Sequence, residues 1–373
     1  QLIDARSEGH LWAQTYERRF EQLLDLQVEV ARSIGAAVAS RVDPSRGASV
    51  VPLASGTAPA GESLLRWRFR TGGEVWSDPV KAGDDVVFGS RDGAVYSVSL
   101  ADGRERWRAR VGEVTADAVV RDGTVFVVAR DGVLAALDAG DGVERWRRRL
   151  GTSVEAGLVV GEGTVATADE AGLLVVHDAT SGRRLWSWSG GEGVSAVAAG
   201  GGLLLASRFD GGVSAFDAVD GELLWTATVA EWSQHSAVVA GDRVLVPSPA
   251  GWVIALDAAD GAEVWRSRVP APSALAVWRD RILVGGEGEA VRALDRSSGE
   301  ELWSFAALGA VETPVVVDDT VLAAAHDGNV YALDPWSGRL RWRVEMQTWV
   351  TTAPLGVGDA VLFGSLDGSL YCL

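Results

Sequence analysis

Hydrophobic residues fall into short runs of about four to six along most of the chain, and tight-turn pairs separate the runs. Some runs alternate, as at Ala94, Tyr96 and Val98, and others are continuous, as at residues 330–333. Runs of this length predict β-strands, and the continuous ones predict strands buried on both faces. The Asp-Gly pairs between runs tolerate the positive φ that tight hairpins need. The pattern therefore predicts an all-β domain of antiparallel strands.

One tryptophan recurs at a nearly constant interval, with successive separations of 40, 39, 40, 39, 40, 38 and 39 residues. The copies are Trp67, Trp107, Trp146, Trp186, Trp225, Trp265, Trp303 and Trp342. From the second onward each ends a shared phrase: usually Asp, two residues, Asp or Ser, Gly, three residues and Trp. Four strands in a unit of about 40 residues are typical of a propeller blade, because ring closure protects the strand edges.

The strand count predicts how the ring closes. Residues 75–345 predict seven complete blades, and residues 349–373 predict only the three inner strands of an eighth. The missing outer strand is expected from residues 64–69, so that the strand carrying Trp67 pairs with the strand carrying Leu370. The sequence thus predicts an eight-bladed β-propeller closed by its N- and C-terminal strands. The repeated tryptophans are expected on the outermost strands, packed against the neighbouring blade rather than on a ligand in the channel.

Residues 1–40 depart from the repeat and predict a short N-terminal α/β segment. Strands are expected around a turn at residues 7–9, followed by a helix over residues 18–40. Asp4 and Trp12 copy the blade's Asp-to-Trp spacing, but the Gly falls one place late, so we count no ninth blade. Residues 41–62, rich in Ala, Gly, Ser and Pro, predict a flexible linker, and residues 63–373 form the propeller.

The phrase from Gly328 to Trp342, Gly-x-Val-Tyr-Ala-Leu-Asp-x-x-Ser-Gly-x-x-x-Trp, resembles the pyrroloquinoline-quinone-like propeller repeats of quinoprotein alcohol dehydrogenases and BamB. This resemblance covers residues 63–373 and implies a structure rather than an activity. Residues 2–34 resemble the end of the TolB-like N-terminal domain of bacterial cyclases, transcriptional regulators and Ser/Thr kinase receptors. That second resemblance implies a place in a larger signalling protein and an extracytoplasmic, periplasmic location.

Composition narrows the choice of partners. A net charge of -17 works against binding to nucleic acid or to anionic lipid. No apolar stretch approaches the roughly 18 residues that a membrane-spanning helix needs. The single cysteine, Cys372, excludes an internal disulfide and a multi-thiolate metal site. The chain begins at Gln1 without targeting features, and we expect it to be part of a longer protein.

Three polar residues are candidates for the channel mouth: Glu155, His235 and Glu312 lie two residues before the small or Pro position that opens an inner strand. They predict either a solvated polar rim or a small-ligand or metal site.

Three further candidates, Trp76, Trp232 and Trp349, fall outside the repeated position in loops leading to inner strands. They predict a contact surface or packing within the loop. His177 and His326 are interpreted as structural residues with satisfied hydrogen bonds.

The residues predict no enzyme, cofactor or metal. The vicinal cysteine pair of many quinone dehydrogenases is impossible with one cysteine, and the repeated Asp-x-x-Asp-Gly lacks the ligand density of a calcium loop. Our first hypothesis is a non-catalytic, monomeric propeller that binds a protein or peptide as the sensory or interaction end of a bacterial signalling protein. The alternatives are a BamB-like envelope assembly factor and a quinone or small-ligand binding domain.

Overall fold

The computed structural model describes the strands Leu2–Ile3 and His10–Trp12 and residues 64–373, except positions 115, 151–153, 155–156, 170, 192, 230–234 and 347 and the side chain of Ser273. The chain divides into two units, Gln1–Gly47 and Ala48–Leu373. In the first unit the two short strands pair antiparallel, with Leu2 opposite Trp12. The helix predicted over residues 18–40 and the linker predicted over residues 41–62 lie outside the described residues.

Eight four-stranded antiparallel sheets follow, and they form the ring of an eight-bladed β-propeller. Strands are numbered one to four from the channel outward, because first strands of most neighbouring blades contact one another. The strands of blades 1 to 4 are Val80–Ala82, Asp85–Gly89, Ala94–Ser99, Glu105–Arg110; Val119–Arg121, Thr124–Val128, Val133–Asp138, Glu144–Arg149; Leu158–Val160, Thr164–Ala168, Leu173–Asp178, Arg184–Ser189; Val194–Gly200, Leu203–Arg208, Gly212–Asp217, Leu223–Thr228. Those of blades 5 to 8 are Val238–Ala240, Arg243–Ser248, Trp252–Asp257, Glu263–Arg268; Pro272–Trp278, Arg281–Gly286, Ala290–Asp295, Glu301–Ala306; Val315–Val317, Thr320–Ala324, Asn329–Leu333, Leu340–Glu345; Leu355–Val357, Ala360–Gly364, Ser369–Cys372, Trp67–Arg70.

Blade 8 is assembled from both ends of the domain. Its fourth strand, Trp67–Arg70, pairs antiparallel with its third strand, Ser369–Cys372. Arg68 lies opposite Tyr371, and Phe69 lies opposite Leu370. The predicted eight blades and their closure by the terminal strands are confirmed.

Burial depends on the position of a strand within its blade. Second and third strands are buried on both faces, because each sheet lies between two neighbouring sheets. Even Ala94–Ser99, whose sequence alternates, is buried at every position. Fourth strands such as Glu105–Arg110 instead alternate between exposed and buried residues. The hydrophobic core therefore lies between the blades.

Seven of the repeated tryptophans pack on a glycine of the following blade. A Cβ built on any of these glycines would lie 2.5–2.6 Å from the indole ring. Their φ values of 65° to 78° also disfavour other residues. Both the close approach of the indole and the positive φ therefore require glycine at this position. The pairs are Trp67–Gly103, Trp107–Gly142, Trp146–Gly182, Trp186–Gly221, Trp225–Gly261, Trp265–Gly299 and Trp303–Gly338.

Six of these tryptophans also donate the indole N–H to a backbone carbonyl in the blade on which they pack, at 2.9–3.3 Å. The acceptors, from Trp67 onward and omitting Trp186, are the carbonyls of Leu100, Ala139, Ala179, Ala258, Arg296 and Pro335. Nε1 of Trp186 is buried without a partner. Each of the other six contacts combines aromatic burial with a hydrogen-bonded indole N–H.

Candidate functional site

The two faces of the ring carry different connections. We call the face with the blade-to-blade connections and the hairpins between second and third strands the loop face. The opposite face, with the turns between third and fourth strands and the hairpins between first and second strands, is the turn face. Glu312, Trp76 and Trp349 lie in loop-face connections, as does His235. Glu155 and Trp232 lie outside the described residues.

On the loop face, Glu312 and Trp349 meet at the histidine of the blade 7 hairpin. His326 Nε2 lies 2.7 Å from Glu312 Oε1, and its ring stacks on Trp349 with centroids 5.9 Å apart and planes at 8°. Burial alone would lower the pKa of His326, but the hydrogen bond and charge of Glu312, together with Glu287 and Asp327, raise it overall. The interpretation of His326 as a hydrogen-bonded residue agrees with this contact.

Trp76 is held within its own connection. Its Nε1 donates to Glu74 Oε2 at 3.0 Å, and Arg91 donates to the same oxygen at 3.0 Å. The Arg91 guanidinium lies 5.9 Å from the centre of the Trp76 ring and 3.0 Å from Glu113. Trp76 and Trp349 are both half-buried. Trp76 thus contacts Glu74 in its own connection and Arg91 in the blade 1 hairpin, whereas Trp349 contacts the blade 7 hairpin.

Carboxylates gather where the inner strands begin. Asp78 Oδ1 accepts the Ala353 N–H at 2.7 Å, and Asp117 Oδ1 accepts the Asp78 N–H at 2.7 Å. The surrounding protein disfavours the charged form and raises the pKa of each carboxyl, and the charge of Glu312 adds repulsion. Burial likewise lowers the pKa of His235. The hydrogen bonds of Asp78 and Asp117 therefore link successive blade-to-blade connections at the channel mouth.

The described residues do not fit the calcium-dependent quinone of the dehydrogenases that share these repeats. Among them, no three His, Cys, Asp or Glu side chains stand close enough to share a metal ion. The only cysteine of the chain, Cys372, is buried in the closing blade, and burial raises its pKa to about 11. We therefore derive no quinone chemistry for this chain.

The turn face carries an aromatic and cationic group that we call the turn-face cluster: Trp278, Arg279, Arg281 and Trp336. The two indoles meet edge to face, with centroids 5.0 Å apart. Arg279 lies over Trp278 at 4.7 Å, and Arg281 lies over Trp336 at 4.6 Å. Trp336 is 47% exposed, Arg279 lies 3.5 Å from Asp319, and Nε of Arg281 lies 3.8 Å from Asp280. The cluster thus offers exposed aromatic surface flanked by two arginines.

Sequence reasoning missed the turn-face cluster, although a signal for it was present. Trp278 and Trp336 fall outside the repeated tryptophan position, which is the criterion that singled out Trp76 and Trp349. Trp278 ends a first strand of blade 6, and Trp336 lies in the Asp-to-Gly turn of blade 7. Only the ring geometry brings these two positions together.

His177 differs from its interpretation as a satisfied residue. Its Nδ1 is buried without a hydrogen-bond partner. No helix in the part of the chain that the structure describes is long and apolar enough to cross a bilayer.

Solved structures share this architecture at low identity. BamB from Moraxella catarrhalis has a TM-score of 0.71 and 21% identity, covering 83% of this chain and 96% of that one. The computationally designed Ika8 protein has a TM-score of 0.75 and 18% identity, covering 84% of this chain and 99% of that one. Quinohemoprotein alcohol dehydrogenase from Comamonas testosteroni has a TM-score of 0.70 and 13% identity, covering 83% of this chain and 76% of that one. These likenesses show the fold, which occurs in an enzyme as well.

Sequence comparison identifies the family. Outer membrane protein assembly factor BamB of Yersinia pestis is 32% identical over an alignment of 153 positions that covers 36% of this chain. The matched part spans 39% of that relative's length. A family profile described as outer membrane protein assembly factor BamB matches residues 1–153, 132–281 and 286–373. Because these matches extend over most of the sequence, the chain belongs to the BamB family of pyrroloquinoline-quinone-like propellers.

Proposed function

We propose that this propeller is a non-catalytic, monomeric protein-binding module that captures its partner on the turn-face cluster. The observation that carries the proposal is the exposed Trp336 beside Trp278, flanked by two arginines. Trp and Arg are the residues most enriched among energetic anchors of interfaces. A peptide segment bearing a carboxylate and an apolar side chain would pair with the exposed Arg279 guanidinium and cover the indoles.

The rigid ring suits this role. A partner that docks on a preformed surface does not have to order the loops of the propeller, so less of the interaction energy is spent on conformational entropy. Trp76 and Trp349 remain proposed secondary contacts of the loop face. Trp232 belongs with them, and Glu155, His235 and Glu312 remain a proposed polar rim.

We further propose that the partner belongs to the machinery of outer-membrane protein assembly and that the location is extracytoplasmic. The family profile and the Yersinia pestis relative, both named for that process, support this proposal. The competing proposal, a sensory or interaction end of a bacterial signalling protein, is supported by the TolB-like pattern of residues 2–34.

Site-specific photocrosslinking in native cells tests the surface. A photoreactive residue at position 336 should give one discrete adduct, which mass spectrometry identifies. Val219 is the matched control, because it holds the same place in the repeated turn of blade 4 and is 80% exposed. We expect no discrete adduct from position 219.

The identity of the adduct separates the two proposals. An outer-membrane assembly component supports the assembly role, and a signalling component supports the other. Equal labelling from positions 219 and 336, or capture that survives Trp278→Ala with Trp336→Ala but is lost in Trp76→Ala with Trp349→Ala, would refute the turn-face proposal.

A further inference from the structure

The junction between blades 2 and 3 holds a polar residue where every other blade is apolar. This position lies at the end of a third strand and directly precedes the Asp that begins the repeated Asp-to-Trp phrase. In the seven other blades it is occupied by Val98, Leu137, Phe216, Leu256, Leu294, Leu333 and Leu373, all buried. In blade 3 it is His177, which is 5% exposed. Burial of an imidazole in this apolar layer is unfavourable unless the ring has a hydrogen-bond partner.

A cavity of about 180 Å³ adjoins His177. Its wall includes Thr167, Asp169, Val175 and Arg184 from blade 3 and Arg149 from blade 2. The Nδ1 atom of His177 has no hydrogen-bond partner in the protein. A buried donor or acceptor left unsatisfied is destabilising, so a bound molecule in the cavity is the natural source of the missing bond.

Positive charge is concentrated at the His177 end of this cavity. Arg184 lies opposite His177 in the strand ladder and makes no ion pair within the described part of the chain. Arg148 donates to the carbonyls of Gly182 and Ser181 at 2.7 and 2.8 Å, which leaves its charge uncompensated by a carboxylate there. Burial, and then these two arginines, lower the pKa of His177 to about 4, so its imidazole is neutral at pH 7.

The carboxylate in the wall lies at the other end. Asp169 Oδ1 accepts the N–H of Leu173 at 2.9 Å, at the beginning of the strand that ends beside His177. Four residues of strand separate Leu173 from His177, a length of about 13 Å at ~3.3 Å per residue. Asp169 therefore does not oppose a negative charge placed beside Arg184.

We propose that His177 and Arg184 form a binding site for a small oxyanion, a phosphate or a carboxylate group, at the junction of blades 2 and 3. The neutral imidazole donates its N–H to one oxygen, and the planar guanidinium donates in parallel to two. Arg148 adds attraction without contact. The site is independent of the turn-face cluster, which lies between blades 6 and 7.

Proton NMR of the histidine rings tests the proposal, because the chain has four histidines. Inorganic phosphate and acetate are titrated separately at pH 7 and constant ionic strength. We expect a saturable shift of the resonance that His177→Leu removes, and a rise in Tm of about 2 °C at saturation. The stronger of the two titrants identifies which oxyanion the site prefers.

Arginine variants supply the matched pair. Arg184→Ala should weaken binding about tenfold or more, since it removes charge-assisted hydrogen bonds. Arg183→Ala removes an adjacent exposed arginine that does not line the cavity and should leave binding unchanged. Absence of any His177 shift with both anions, or equal loss in the two arginine variants, would overturn the proposal and leave a cavity filled by water.

Discussion

The junction between blades 7 and 8 is built differently from the seven junctions at which a tryptophan packs on a glycine. At those seven, the turn between the third and fourth strands of the following blade supplies the glycine. Blade 8 has no such turn, because its third strand ends at Cys372 and its fourth begins at Trp67. Within the part of the chain that the structure describes, no glycine packs on Trp342, which is half-buried among the residues of blades 7 and 8.

Backbone pairing and charge hold the third and fourth strands of blade 8 together. The N–H of Arg66 donates to the Cys372 carbonyl at 2.9 Å, and that of Thr71 donates to Gly368 at 2.8 Å. Arg68 pairs with Asp367 at 2.5 Å and lies 5.1 Å from the Tyr371 ring. A ring of repeats can thus be closed by strand pairing where the repeated tryptophan contact is lost.

Removal of the closing strand should have the largest effect. Deletion of residues 64–70 exposes the edge of Ser369–Cys372 and removes Phe69, which contacts Phe88 and Tyr96 at 6.0 and 5.4 Å. We expect aggregation or loss of the cooperative thermal transition, measured by circular dichroism and gel filtration. Arg66→Ala, which breaks only an exposed ion pair to Asp359, should retain the transition. A cooperative melt of the deletion variant would show that strand pairing is dispensable.

An alanine at a packed glycine should have the next largest effect. Gly261→Ala places a Cβ 2.5 Å from the Trp225 ring at a φ of 74°, and we expect a loss of about 2–4 kcal/mol in unfolding free energy. Gly241 has a similar φ of 66° but no atom within 4 Å of an added Cβ. Gly241→Ala should therefore cost only about 1–2 kcal/mol in urea unfolding. Equal losses would mean that ring contact contributes nothing.

Tryptophan substitutions compare the two kinds of junction directly. Trp303 is 92% buried. Trp303→Phe removes its hydrogen bond to the Pro335 carbonyl and part of its packing. We expect it to cost about 1–2 kcal/mol more than Trp342→Phe in chemical denaturation. If Trp342→Phe is the more damaging, the closing junction depends on its tryptophan after all.

The smallest effect should be a pH dependence beside the closing junction. Because the folded-state pKa of His326 is raised above about 6.5, its stabilising contribution is complete below pH 6.5. It is lost as the pH rises through the folded-state value. Glu312→Gln should reduce this slope in urea midpoints measured from pH 5.5 to 8.5. An unchanged slope would show that the His326–Glu312 pair is not its source.

Most of the fold could be predicted because its information is local. The spacing of Trp67 through Trp342, with the Asp-Gly turns, predicts the strands, the eight blades and the pairing of residue 67 with the C-terminal strand. Burial could be predicted less well. Ala94–Ser99 alternates in sequence but is buried throughout, since neighbouring blades cover both of its faces.

The candidate site divides in the same way. Sequence position placed Glu312 and Trp349 on the loop face, but it did not show that both contact His326. The turn-face cluster and the His177 cavity join side chains from neighbouring blades, and no local pattern records which side chains meet. The repeat alone determined the blades, their number and their order, because strand and turn preferences act over a few residues. Only the tertiary structure decided which polar and aromatic groups converge, because the closed ring brings together residues that are distant in sequence.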